Sequence, residues 1–105
     1  MTDLEKFQKA CIDLDMDLDI DYYFHGISGE AGEVAELRKK FLRNAKKDAE
    51  LRLNFKALLT EELGDLIWYI VVLAYKYDIP IKVILQTVIK KLNKRHRKGF
   101  YESNN

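Results

Sequence analysis

Residues 59–77 read LTEELGDLIWYIVVLAYKY, and this stretch decides the fold. Leu59, Leu63, Leu66, Ile70, Leu73 and Tyr77 recur every three or four residues. That is the spacing of one face of an α-helix, not the two-residue alternation of a strand. Between Leu66 and Tyr75 only Tyr69, Tyr75 and the indole of Trp68 carry a side-chain polar atom. The run is still far shorter than the roughly 20 residues that span a bilayer, so it is not a membrane helix. A helix that is apolar all round must be covered all round. Three short partner helices barely do so, and a second subunit is expected to cover the rest. The chain is therefore expected to be a homo-oligomer with residues 66–75 in the interface.

Working outward, Ile79-Pro80 ends this helix near Tyr77, because proline suits the first turn of a helix and not its interior. A fourth helix over about 80–95 carries Ile81, Leu85, Val88 and Leu92 on one face. Upstream, the charged stretch Lys46–Glu50 is the expected break. Before it a second helix runs from about Asp21 to Ala45, with Phe24, Ile27, Ala31, Val34 and Phe41 at helical spacing. Leu4, Phe7 and Cys11 give a short first helix near 3–12. Between them five aspartates alternate with apolar residues over Asp13–Asp21, which reads as a linker or frayed helix end. It is not a calcium loop, because every register puts Leu18, Ile20 or Tyr22 where the turn glycine belongs. Five glycines and one proline in 105 residues argue against an all-β fold. The expectation is one all-α domain over residues 1–105, a small four-helix bundle. One cysteine excludes a disulfide framework and a cysteine-rich zinc site, and Cys11 reads as packing. With no apolar signal segment at the N-terminus, a cytoplasmic location is expected.

Net charge is only +1 but unevenly placed. Residues 1–21 hold seven acids against Lys6 and Lys9, while residues 89–105 hold six Lys/Arg against Glu102. Either the ends attract each other, within or between subunits, or the basic end holds a phosphate. Charge alone favours the first.

Phosphate-loop, HExxH, CxxC and GxGxxG motifs are absent, and His25 and His96 lie far apart. The carboxylates say more. Glu30 and Glu33 are three apart, as are Glu62 and Asp65, so each pair points to one side of its helix. Such pairs are no commoner here than chance allows; their position is what departs from it. Glu30 and Glu33 share a face with Leu37 and Phe41, and Glu62 and Asp65 share one with Leu58, Tyr69 and Val72. Carboxylates on apolar faces repel one another unless protonated or bridged by cations. All-oxygen ligands select Mg²⁺ or Mn²⁺; a di-iron bundle would need Glu-x-x-His pairs, and none occurs. Gly26, Gly29, Gly32 and Gly64 sit beside these acids, where they serve close helix packing, leave room for a ligand, or both. Four acids holding Mg²⁺ suit phosphate chemistry, with cations for the far phosphates from Lys39, Lys40, Arg43, Lys91 or Arg95.

Gly26-Ile-Ser-Gly-Glu-Ala-Gly-Glu-Val-Ala-Glu36, followed by Glu61-Glu-Leu-Gly-Asp-Leu-Ile-Trp-Tyr69, resembles the MazG-like all-α nucleoside triphosphate pyrophosphohydrolases. Lys91-Leu-Asn-Lys-Arg95 resembles that family's C-terminal motif, and the matching order covers about residues 4–101. The resemblance implies a dimeric or tetrameric helical bundle that hydrolyses a (d)NTP to the monophosphate and pyrophosphate with Mg²⁺. It implies metal ligation by Glu30, Glu33, Glu62 and Asp65, nucleotide contact by Tyr69, and substrate contacts by Lys91 and Arg95. Many relatives carry an asparagine where this chain has Val88. The competing reading is a non-catalytic helical dimer that binds a partner or nucleic acid through its basic C-terminal end. Nucleic acid is disfavoured because only Phe100 and Tyr101 interleave with those cations and the chain as a whole is not basic.

Overall fold

A computed structural model describes residues 1–97. They form four helices and, among the described residues, no strand: α1 (Asp3–Asp13), α2 (Ile20–Asn44), α3 (Ala49–Lys76) and α4 (Ile81–Arg97). The fold is all-α, as the apolar spacing requires, and each boundary falls close to its expected place. The expected tail from Gly99, with Lys98, Phe100 and Tyr101, lies outside the described residues. None of the described helices is long and apolar enough to cross a membrane.

The chain divides into two compact units, and the division falls inside α3, between Leu73 and Ala74. In the first unit α1 starts with a reciprocal cap. The Thr2 hydroxyl accepts from the Glu5 amide at 3.1 Å, and the Glu5 carboxylate accepts from the Thr2 amide at 2.9 Å. Asp19 caps α2 through the Asp21 amide, and Asp48 caps α3 through the Leu51 amide. Residues 15–19 form a strap without regular structure, which resolves the ambiguous aspartate run. It is held by Tyr23, which is fully buried. The Tyr23 hydroxyl accepts from the Leu18 amide at 3.0 Å and donates to Asp15. Cys11, Tyr23, Leu51, Val71 and Val72 are buried, so Cys11 does pack as expected.

In the second unit α3 ends in a Schellman motif. The Ile79 amide donates to the Ala74 carbonyl and the Asp78 amide to the Tyr75 carbonyl, both at 2.9 Å. Asp78 takes the left-handed position, at φ 57°, that glycine usually fills. Aspartate is among the few other residues that tolerate it. Pro80 then precedes α4, and its carbonyl accepts from the Val83 amide.

Candidate functional site

Within the first unit α2 and α3 form an antiparallel hairpin closed by residues 45–48. The Asn44 carbonyl accepts from the amides of Lys47 and Asp48, and Arg52 donates to the Ala45 carbonyl at 2.8 Å. Successive contacts step back along α2 as they step forward along α3. Nearest the turn, the Phe41 and Phe55 rings lie 4.6 Å apart, with the Arg38 guanidinium 5.1 Å from the centre of the Phe41 ring. At the far end Tyr22 and Tyr23 meet Trp68 and Tyr69. Between these two aromatic layers lie the carboxylates.

The seam that α3 turns toward α2 is Leu51, Phe55, Leu58, Glu62, Asp65, Tyr69 and Val72, alternating steps of four and three. Six of the seven are buried or half-buried; only Asp65 is exposed. Glu62 and Asp65 thus occupy seam positions where the helical period calls for apolar residues. Glu30 stands opposite on α2, and one carboxylate oxygen from each of Glu30, Glu62 and Asp65 lies within 4.8 Å of the other two. Of the four acids expected to cluster, these three come together at that distance. Glu33 is exposed and outside the triad. It is close enough that its charge, after desolvation and the charges of Asp65 and Glu62, helps hold the Glu30 carboxyl above the ordinary range. Among the described residues no lysine or arginine forms an ion pair with the triad; Lys9 pairs with Asp13 and Lys39 with Glu36. Two half-buried carboxylates and an exposed one that gather without a paired cation are the donor set a hard divalent ion takes, so these residues fit Mg²⁺ or Mn²⁺.

Tyr69, one turn beyond Asp65, donates its hydroxyl to Tyr22 at 3.3 Å. That bond, then burial, then the neighbouring charges including Glu30 and Asp65, push its phenol up to about 12. Its ring packs edge-on against Trp68 with centroids 4.9 Å apart. The glycines, alike in spacing, differ in surroundings. Gly26 is pressed against the Tyr69 ring, while Gly29, Gly32 and Gly64 have open space where a Cβ would stand.

Lys91 and Arg95 lie one turn apart on α4, in the second unit, and both are exposed. Val88 is exposed on the same helix. Tyr22 and Tyr23 escaped the sequence reading, although the run Tyr22-Tyr23-Phe24 one turn before Gly26 was a visible aromatic cluster.

The comparisons with known proteins agree with this geometry. The MazG nucleotide pyrophosphohydrolase domain matches residues 20–100, which takes in all of α2, α3 and α4 and starts where α2 starts. The Gene 37 protein of Mycobacterium phage L5 is 36% identical over 80 residues, covering 76% of this chain and 68% of the phage protein. No solved structure matches.

Proposed function

The chain belongs to the MazG nucleotide pyrophosphohydrolase family, and from that premise we propose that it hydrolyses a nucleoside triphosphate, ribo or deoxy, to the monophosphate and pyrophosphate with Mg²⁺. Mn²⁺ is the other ion the ligand set would accept. The observation that carries this reading is the triad of Glu30, Glu62 and Asp65, three carboxylates on the inner seam of a hairpin with no cation among the described residues in an ion pair with them.

In this reading Glu30, Glu33, Glu62 and Asp65 hold the metal. When bound, the ion would neutralise phosphate oxygens and lower the pKa of a coordinated water. Water adds at the α-phosphorus, the α–β anhydride bond breaks, and pyrophosphate leaves with the bonding electrons. The chain's part is to orient. Tyr69 contacts the nucleotide beside the carboxylates. Lys91 and Arg95, spaced to point one way from α4, hold the polyphosphate, lysine as a point charge and arginine across two oxygens. The four helices act as one domain, and a second copy covers the exposed apolar side chains of α3, among them Leu63 and Ile67.

The deciding assay is pyrophosphate release from a panel of NTPs and dNTPs, with and without Mg²⁺. Metal-dependent release from at least one nucleotide is expected, and none from any would overturn the proposal. Lys91→Ala and Arg95→Ala are expected to raise KM or lower kcat with little change in melting temperature. A fall in thermal stability or assembly with ordinary kinetics would instead make Arg95 a structural partner of the acidic N-terminal segment.

A further inference from the structure

A Cβ built on Gly26 would stand 2.2 Å from Cε1, 2.3 Å from Cδ1 and 2.7 Å from Cζ of Tyr69. Carbon atoms in contact sit about 3.5–4.0 Å apart, so any side chain at this position must displace the ring. The ring is half-buried and would have to shift among aromatic neighbours. It stands edge-on to Trp68, and the centroids of Tyr22 and of the fully buried Tyr23 lie 6.0 and 6.5 Å away. Gly29 and Gly32 share the same helix and spacing but meet nothing within 4 Å. Each of the three costs the helix about 1 kcal/mol relative to alanine. Only at Gly26 does the single chain show what that cost secures.

We infer that Gly26 is a positioning residue: by omitting a Cβ it seats the Tyr69 ring against α2 and fixes the Tyr69 hydroxyl on Tyr22, beside the carboxylates. Tyr22 is the second half of the device, because its hydroxyl accepts the Tyr69 proton and so sets the direction in which the phenol presents its oxygen. The inference rests on the reading above, in which Tyr69 touches the nucleotide. It adds that Tyr69 can do so only from this seat. Neither Gly26 nor Tyr22 belongs to the metal triad, so disturbing them separates nucleotide positioning from metal binding.

The test is a double-mutant cycle between Gly26→Ala and Tyr69→Ala, with Gly29→Ala as the control at an open glycine. In the wild-type background Gly26→Ala is expected to raise KM about tenfold, the scale of a lost ligand hydrogen bond. Mg²⁺ affinity, titrated without nucleotide, should stay within about twofold, and the Trp68 emission should shift as the neighbouring ring moves. In the Tyr69→Ala background the same substitution should leave KM unchanged, because nothing remains for the new methyl to strike. Tyr22→Phe, which keeps the packing, should raise KM by a smaller factor. An equal KM effect of Gly26→Ala in both backgrounds, or none in either, overturns the inference, and so does a matching effect from Gly29→Ala. If wild-type protein releases pyrophosphate from no nucleotide, the functional reading fails, yet the seat is still read from melting temperatures. The Gly26→Ala penalty must then vanish in the Tyr69→Ala background, and its persistence overturns the seat as well.

Discussion

Two stripes run along α3, one residue out of step. Leu58, Glu62, Asp65, Tyr69 and Val72 face α2; Leu59, Leu63, Leu66, Ile70 and Leu73 each follow one residue later and are turned by about 100° around the axis. The second stripe keeps the same spacing and is wholly apolar, yet none of its five residues is fully buried in the single chain, with Leu63 41% exposed and the adjoining Ile67 47% exposed. The first is interrupted by two acids and ends at Val72, which is fully buried. Hydrophobic purity therefore does not mark the inside of this hairpin. The stripe that carries the carboxylates is the inner one, and the clean stripe is half-buried, leaving Leu63 and the adjoining Ile67 for a second copy to cover.

The inner stripe can be broken most sharply at Asp65. Asp65→Asn removes one of the three gathered oxygens' charge while keeping the shape of the side chain. Hydrolysis is expected to fall by more than the roughly 10- to 100-fold that follows loss of a residue merely supporting a ligand. The far-ultraviolet circular dichroism should stay that of a helical protein. Full activity in the variant would remove Asp65 from the metal site.

The same approach on the outer stripe tests its cover. Ile67→Asp places a charge where the proposed second copy packs, and a central apolar anchor of an interface contributes about 2 kcal/mol or more. Light scattering at micromolar concentration should show wild type as an oligomer of the 12.4 kDa chain and the variant shifted toward monomer. A wild-type monomer would refute the proposed cover, and the exposed leucines of α3 would then need another explanation.

Much of this was legible in the sequence, and the misses have physical causes. The four helices were readable because spacing, Pro80 and the charged break at Lys46–Glu50 are local features. The choice between the two stripes was not, because both obey the same three-and-four spacing. The wholly apolar stripe stands out first in the sequence, and the acids' face shows only through Leu58, Tyr69 and Val72. The strap over residues 15–19 reads only as a linker or frayed helix end, because the alternation has strand periodicity while aspartate is a poor strand former. It is settled by the Tyr23 hydroxyl reaching Asp15 and the Leu18 amide, a tertiary bond that no periodicity encodes. Asp78 stands where glycine would have announced the stop of α3, so that stop is legible from Pro80 and not from the left-handed residue itself. The glycines beside the acids looked equivalent until their neighbours were known.

Gly64 sharpens that last point on α3 itself. It lies between Leu63 and Asp65 with open space at its Cβ position, so Gly64→Ala is expected to raise stability by about 0.5–1 kcal/mol through helix propensity. Thermal or urea unfolding measures it. A loss instead of a gain, seen only at concentrations where the protein is oligomeric, would mean that a second copy approaches α3 at Gly64 as well as along the apolar stripe.

The smallest effect expected is at Glu33, and its sign should invert with metal. Glu33 is exposed and its charge opposes that of Glu30. In metal-free protein Glu33→Gln relieves a like-charge repulsion, so stability should rise slightly. Because the group faces water the gain is screened and stays below about 1 kcal/mol, fading as salt shortens the Debye length from about 10 Å at 0.1 M to about 3 Å at 1 M. With Mg²⁺ the order reverses. A ligand that binds only the folded state at a hundred times its dissociation constant adds about 2.7 kcal/mol, and a site short of one carboxylate captures less of that. Melting curves of wild type and Glu33→Gln, with chelator and with saturating Mg²⁺, should therefore cross: the variant melts higher without metal and lower with it. Curves that keep one order under both conditions would leave Glu33 as a surface acid beside the site, and the metal to Glu30, Glu62 and Asp65 alone.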